Sequence, residues 1–146
     1  MAEKPGIALF QCQWCLFSPA DQDWVDNHLP SNIYLTKTPC TGRINPLYVL
    51  NAIQGGADGV MISGCLPEQC HFVTGNITAR RQLEEFNDFL NHIGYEKQRV
   101  RFVWLDLQDR CMIQKELAAF EKELKCLGKA ANLVTRMKVA EGEQNA

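Results

Sequence analysis

Cysteine is the residue type in this sequence whose number and spacing point most directly to chemistry. The chain has seven cysteines, and five of them stand in three short motifs: Cys12-Gln-Trp-Cys15, Pro39-Cys40-Thr-Gly and Cys65-Leu-Pro-Glu-Gln-Cys70. In a reducing compartment, such an excess of thiols indicates metal ligation or thiol redox chemistry rather than a disulfide framework. We therefore take these five cysteines as the candidate site residues.

The overall composition excludes some classes of partner. With 46% hydrophobic residues, 22% charged residues and a formal net charge of −2 over 146 residues, the chain has no bias toward nucleic acid or anionic membranes. The opening residues Met1-Ala-Glu-Lys-Pro5 lack the apolar core of a secretory signal, and no run is long enough to span a membrane. We therefore expect a cytoplasmic protein.

Regular hydrophobic patterns predict the main elements that must position these thiols. Short segments rich in β-branched and apolar residues predict four buried strands: Ile7 to Gln11, Ile33 to Lys37, Gly59 to Ser63 and Val100 to Leu105. Apolar residues at three- and four-residue steps predict two long helices, from Ala79 to Ile93 and from Ile113 to Leu127. A glycine follows each helix and ends it.

Two shorter helices are predicted from their starting residues. Asn45 as N-cap and Pro46 at the first helical position predict a helix that ends at Gly55. Its inward face is expected to consist of Leu47, Leu50 and Ile53. Ser18 predicts the start of another helix that runs to about His28, with an irregular loop as the alternative.

The alternation of strands and helices predicts the fold. It is typical of right-handed βαβ crossovers, which build a parallel sheet covered by helices on both faces. We predict an α/β fold, a flavodoxin-like three-layer sandwich with a four-stranded parallel sheet in the order 2-1-3-4. Residues 1–128 are expected to form one domain, and residues 129–146, which end in the polar stretch Ala-Glu-Gly-Glu-Gln-Asn-Ala, a partly flexible C-terminal extension.

The predicted sheet places the cysteine motifs at one edge. Cys12 and Cys15 follow the first strand, Cys40 follows the second, and Cys65 and Cys70 follow the third. Because the strands are parallel, all three loops emerge at the carboxyl edge, where open α/β folds bind their ligands. The five thiols should therefore converge, and the neighbouring glycines allow close backbone approach: Gly42, Gly64 and Gly75.

Other residues near these motifs have weaker claims to the site. His71 is expected to be a hydrogen-bonding neighbour rather than a ligand. Trp14 is expected to shield a metal from water or to face a partner. Cys111 and Cys126 lie outside the three motifs, and we expect them to be packing residues.

The residues alone leave several kinds of site open. A Cys-x2-Cys pair is the commonest half-site for structural zinc, and it also occurs after the first strand of thiol oxidoreductases. Distribution over three loops favours a cluster with several anionic sulfurs over zinc, and the additional thiols disfavour the oxidoreductase. Any four of the five cysteines satisfy an iron–sulfur or zinc site.

Several ordered motifs together resemble a known family, the delta subunit of methyl-viologen-reducing (F420-non-reducing) hydrogenase. The resemblance covers about residues 6 to 127 and is carried by the following segments: Cys12-Gln-Trp-Cys15, Pro39-Cys-Thr-Gly-Arg43, Gly56-Ala-Asp-Gly-Val-Met-Ile-Ser-Gly-Cys65, Cys70-His71, Gly75-Asn76 and Ala79-Arg80-Arg81.

This resemblance implies a specific cofactor and role. Members of the family bind a [2Fe-2S] cluster and connect a hydrogenase or formate dehydrogenase to the flavin-containing A-type component of heterodisulfide reductase. The chain would then be a non-catalytic electron-transfer adaptor. The matching positions are Cys12, Cys15, Cys40, Cys65 and Cys70, four of which would hold the cluster.

Overall fold

The computed structural model describes residues 3–14, 18–106, 108–130 and 142. It contains four strands: β1 (Ile7–Cys12), β2 (Ile33–Thr38), β3 (Gly59–Cys65) and β4 (Val100–Leu105). It also contains four α-helices: α1 (Pro19–Asn27), α2 (Pro46–Gln54), α3 (Gly75–His92) and α4 (Met112–Leu127). Short 3₁₀ turns span Thr41–Arg43 and Lys97–Arg99.

The sheet has the predicted architecture. All strand pairs are parallel, and the order is β2-β1-β3-β4. On one face, α1 and α4 pack against Ile7, Leu9 and Met61. On the other face, α2 and α3 pack against Phe10 and Ile62. These two apolar clusters confirm the three-layer α/β sandwich.

The central strand β3 is buried along its whole length. Gly59 begins this strand, and a Cβ atom there would lie 2.6 Å from Cδ1 of Leu124. Helix α4 therefore packs directly on the backbone of the strand, which leaves no space for a side chain at this position.

The two shorter helices confirm one prediction and correct another. Helix α1 forms after Ser18, and in α2 the Asn45 side chain accepts a hydrogen bond of 3.0 Å from the Leu47 N–H. The inward assignment of Leu47 is wrong, because this side chain is 55% exposed and the buried face is formed by Val49 and Ile53. Leu47 lies two residues before Val49, about 200° away around the helix axis.

A buried ionic network closes the amino edge of the sheet. Arg99, which directly precedes β4, is 1% exposed, and its guanidinium donates hydrogen bonds to the backbone oxygens of Asp58, Leu127, Gly128 and Lys129. The Asp58 carboxylate accepts from the N–H groups of Gly6 (2.9 Å) and Ala130 (3.1 Å). The network thus links the segment before β1 to the segment after α4.

The predicted C-terminal extension, residues 129–146, lies mostly outside the described residues. Within the described parts of the chain, no helix is long and apolar enough to cross a membrane.

Candidate metal centre

Two of the candidate thiols meet at the ends of neighbouring strands. Cys12 is the last residue of β1 and Cys65 the last residue of β3, and both are buried. Because β1 and β3 are hydrogen-bonded neighbours, the two Sγ atoms lie 4.0 Å apart. The Trp14 N–H donates to the Cys12 sulfur at 3.4 Å, so the loop after β1 already places a donor on this thiol.

Cys40 and Cys70 approach each other beside the start of α3. Cys40 follows β2 and is buried, whereas Cys70 is half-buried in the loop after β3. A Cβ atom on Gly75 would lie 2.3 Å from the Cys40 sulfur and 3.6 Å from the Cys70 sulfur. Both thiols therefore lie against the same glycine, which confirms the predicted close approach at this position.

The electrostatic environment of Cys40 links it to the other thiols. Burial raises the pKa of the Cys40 thiol above its usual range, and the Gly42 N–H opposes this rise by hydrogen bonding to the sulfur. The nearby thiols of Cys70 and Cys12 raise the pKa further. The Cys12 thiol also donates to the Pro39 carbonyl at 4.0 Å, so the loop that carries Cys40 meets the Cys12–Cys65 pair.

Four of the five candidate cysteines therefore lie at the carboxyl edge in two pairs, Cys12 with Cys65 and Cys40 with Cys70. The fifth, Cys15, lies outside the described residues. Cys111 and Cys126 are exposed, at the start and near the end of α4. Within the described stretches, no three His, Cys, Asp or Glu side chains are grouped to hold a metal ion.

The geometry and chemistry of these thiols fit an iron–sulfur cluster. Two thiolates on one tetrahedral metal lie about 3.8 Å apart when each metal–sulfur bond is about 2.3 Å, close to the 4.0 Å between the Cys12 and Cys65 sulfurs. Thiolates are also the soft ligands that such clusters use. The donor set therefore suits an iron–sulfur group, and one pair of sulfurs has the spacing of two ligands on a shared metal.

Aromatic rings stack between two of the loops that carry the thiols. Trp14 stacks on His71 with ring centroids 4.2 Å apart and planes inclined by 13°, and His71 meets Phe72 edge-on at 5.0 Å. Trp14 and Phe72 remain about half exposed. The stack joins the loop after β1 to the loop after β3, and the shielding role of Trp14 stays a prediction.

The loop that carries Cys70 is held by unusual backbone conformations. Glu68 and Val73 both have positive φ, at 71° and 68°, and positive φ is especially rare for a β-branched residue. The Thr74 N–H donates to the Phe72 carbonyl at 2.8 Å across Val73, which forms a γ-turn. Such strain of about 1 to 3 kcal/mol per residue is typical of functional loops.

A pocket opens beside the half-buried end of this site. Its volume is about 440 Å³, and its lining includes Cys40, Arg43, Phe72 and Thr78. The pocket adjoins the buried Cys40 side chain. Cys12 and Cys65 belong instead to the apolar core.

Asn76 is the residue of this site whose role the sequence did not reveal. It is 1% exposed, and its Nδ2 donates to the backbone oxygens of Cys65 (2.8 Å) and Leu66 (3.0 Å). Its Oδ1 accepts from the Ile77 N–H at 2.8 Å. The one available signal was an asparagine beside a glycine in a cysteine-containing motif.

Fold and site together define a small parallel α/β domain with a thiol-rich carboxyl edge. Residues 7–128 match the family model described as methyl-viologen-reducing hydrogenase, delta subunit. The chain belongs to this family. The resemblance found from the ordered cysteine motifs is thereby confirmed.

Curated relatives fall into two kinds, and the first kind is of similar length to this chain. The iron-sulfur D subunit of the vhc F420-non-reducing hydrogenase of Methanococcus voltae is 35% identical over 131 residues, which cover 88% of this chain and 91% of that protein. Its counterpart in the F420-non-reducing hydrogenase of Archaeoglobus profundus is 29% identical over 126 residues, with 86% and 92% covered.

The second kind is longer. Over 142 residues the chain is 33% identical to the A subunit of ferredoxin:CoB-CoM heterodisulfide reductase of Methanosarcina mazei, covering 97% of this chain but 18% of that protein. The A subunit of the ferredoxin/F420H2-dependent CoB-CoM heterodisulfide reductase of Methanosarcina acetivorans is matched over 16% of its length. The chain thus spans less than a fifth of these reductase proteins.

Proposed function

We propose that this chain is the electron-transfer subunit of an oxidoreductase complex and binds a [2Fe-2S] cluster through thiols at the carboxyl edge of its sheet. The observation that carries the proposal is the approach of four cysteines from three loops, with two buried sulfurs 4.0 Å apart. The hydrogenase relatives, whose names include the words iron-sulfur, support the class of cofactor.

The proposed ligands are Cys12, Cys40, Cys65 and Cys70. Within the described residues, these four contact one another or share a contact with Gly75. The strand ends suggest that Cys12 and Cys65 hold one iron, and that Cys40 and Cys70 hold the other. Cys15 is then the thiol that cluster binding does not require.

When bound, such a cluster supplies reversible one-electron transfer. The chain's own residues bind it and set its surroundings. The sulfurs of Cys12, Cys40 and Cys65 are buried and so are shielded from water. The N–H groups of Trp14 and Gly42 donate to sulfur. Burial and N–H donors are two of the factors that set a cluster's potential.

We propose that the partners are a hydrogenase or formate dehydrogenase subunit on one side and a heterodisulfide reductase A-type flavoprotein on the other, in the cytoplasm. The similarity to one segment of the longer reductase proteins supports the second partner. The proposed contact face surrounds the thiols and exposes the apolar side chains of Trp14, Phe72, Val73 and Ile77.

The proposal is tested by analysing anaerobically purified protein. We expect about two irons and two sulfides per chain and, after reduction, a rhombic electron paramagnetic resonance (EPR) signal. Colourless protein with stoichiometric zinc would instead favour a structural zinc module. Metal-free protein that reduces insulin disulfides with normal turnover would favour a thiol oxidoreductase.

Serine substitutions identify the ligands. Cys15→Ser should retain the full iron content, whereas Cys12→Ser, Cys40→Ser, Cys65→Ser and Cys70→Ser should each lose iron or change the EPR signal. Cys126→Ser, at an exposed position of α4, is the matched control. Iron loss in Cys15→Ser together with an unchanged Cys70→Ser would contradict the proposed ligand set.

A further inference from the structure

The first two residues of α3, Gly75 and Asn76, contact three of the four converging cysteines. Gly75 lies against the sulfurs of Cys40 and Cys70, and Asn76 holds the carbonyl of Cys65. We propose that this dipeptide is the positioning element of the thiol site. Its effect on bound iron rests on the proposed function, whereas its contacts can be tested in the metal-free protein.

Asn76 fixes the backbone where Cys65 leaves the sheet. Both hydrogens of its amide group are donated, one to the Cys65 carbonyl and one to the Leu66 carbonyl, and its oxygen accepts the Ile77 N–H. A buried amide with every one of these bonds formed has a single orientation. Because Cys65 is the last residue of β3, these bonds hold its peptide group after the sheet ladder ends.

Gly75 provides the space that the Cys40 sulfur occupies. A Cβ atom at this position would lie 2.3 Å from that sulfur, a distance that non-bonded atoms do not reach. Gly42 approaches from the same side, since a Cβ on Gly42 would lie 3.0 Å from the Cα of Gly75. The loop after β2 and the start of α3 are therefore packed with no room for a side chain at either glycine.

Together the two residues couple the loops of the site. Asn76 ties the loop after β3 to α3, and Gly75 lets the loop after β2 rest on the same helix turn. A one-atom change in either residue should therefore move a sulfur without removing any ligand, as substitutions of residues that orient metal ligands do.

Asn76→Asp tests the first contact in the iron-loaded protein. The substitution keeps the size of the side chain but replaces its two N–H donors by an oxygen that faces two carbonyls. We expect release of iron to a chelator to become about 10-fold faster, with a changed EPR signal and reduction potential. Asn91→Asp is the matched control, because Asn91 is on the same helix and donates to a backbone carbonyl, that of Tyr95, at 3.1 Å.

A purely structural role for Asn76 would give a different result. In that case Asn76→Asp would lower the melting temperature as the control Asn91→Asp would. Iron release, the EPR signal and the reduction potential would be the same in both variants. This outcome overturns the proposal for Asn76. Asn76→Ser, which retains one donor, answers the same question if the aspartate variant does not fold.

A double-mutant cycle in the metal-free protein tests Gly75 without relying on a cluster. Gly75→Ala should lower the melting temperature because the new methyl group meets the Cys40 sulfur. In a Cys40→Ala background, the same substitution should leave the melting temperature unchanged or raise it, since alanine is the better helix former. Equal effects in both backgrounds would refute the proposed contact. If the purified wild-type protein contains no iron, the proposed function is refuted. The cycle still decides whether Gly75 contacts Cys40.

Discussion

Different kinds of side chain connect the segments at the two edges of the parallel sheet. At the amino edge, Arg99 and Asp58 bind backbone groups from both ends of the domain with hydrogen bonds of 2.9 to 3.4 Å. At the carboxyl edge, thiols occupy the corresponding positions. There, the loops approach each other through the sulfurs of Cys12, Cys40 and Cys65 rather than through a charged network.

This difference places the residues that stabilise the domain at one edge of the sheet and the candidate site residues at the other. Residues before the strands supply polar groups that form hydrogen bonds with backbone groups. Such a network stabilises one arrangement of the chain. Residues after the strands supply sulfurs, which are weak hydrogen-bonding groups and good metal ligands. We therefore expect damage to the amino edge to unfold the domain and damage to the carboxyl edge to alter the thiol site.

Arg99→Met should cause the largest loss of stability. The substitution retains an apolar stem but removes the donor from the buried Asp58 carbonyl and from three carbonyls at the end of α4 and after it, which should cost about 3 to 5 kcal/mol of unfolding free energy. Urea denaturation of the metal-free protein measures this effect. Arg110→Met, whose exposed side chain pairs with Asp21 at 3.1 Å, should cost about 0 to 1 kcal/mol. Equal losses for the two variants would show that the amino edge is not the stabilising end.

Asp58→Asn should have the next largest effect. The side chain keeps its volume, but one of its oxygens becomes an NH₂ group that faces the N–H of Gly6 or Ala130. We expect a loss of about 1 to 3 kcal/mol, measured by the same denaturation. Asp26→Asn, which removes a partly exposed charge paired with Lys37, is the control. Iron content should not change, and a specific loss of iron in Asp58→Asn would break the comparison.

The Cys40 thiol should make the carboxyl edge sensitive to alkaline pH. Because burial raises the pKa of Cys40 in the folded protein, its stabilising contribution is complete below the unfolded thiol pKa of about 8.5. It is lost as pH rises through the folded pKa, since the unfolded state then binds fewer protons. Unfolding free energy of the metal-free protein should therefore fall above about pH 8.5. Cys40→Ala should flatten this fall, and Cys126→Ala should not.

Trp14→Ala should have the smallest effect on stability. The lost stack on His71 corresponds to about 0.5 to 1 kcal/mol, but the outer cover of the thiols is removed. Peptide-resolved alkylation of the metal-free protein should show faster modification of Cys12 and Cys65. Tyr34→Ala, at an exposed aromatic residue near the start of β2, should leave both rates unchanged. If both variants exposed the thiols equally, the aromatic stack would not be their cover.

Much of this fold was predictable because its signals are local. Period and β-branching marked all four strands, and their alternation with helices predicted a parallel sheet, for which a flavodoxin-like sandwich gave the order 2-1-3-4. The same parallel arrangement predicted Cys12, Cys15, Cys40, Cys65 and Cys70 at one edge, and the four of them within the described residues lie there. This placement was predictable because topology alone brings the ends of parallel strands together, whereas the role of the cysteines as ligands stays a prediction.

Other features were not predictable because they depend on contacts distant in sequence. Asn76 meets Cys65 across 11 residues, and Arg99 meets the Asp58 carbonyl across 41. Neither asparagine in a first helical turn nor arginine before a strand carries a pattern that reveals its partner. Leu47 was misplaced for a related reason, since the direction of a short helix face is set by the sheet beneath it. Positive φ at Val73 has no signal in the residue type.

If the chain binds the proposed cluster, the depth of the thiols would give the site an order of loading. Cys12 and Cys65 are covered by the core, whereas Cys70 is half-buried and Cys40 lines the open pocket. A donor that delivers iron to the folded chain would meet the outer thiols first and the inner pair last. Insertion would therefore proceed inward from the pocket, and a chelator would remove iron along the same route in reverse.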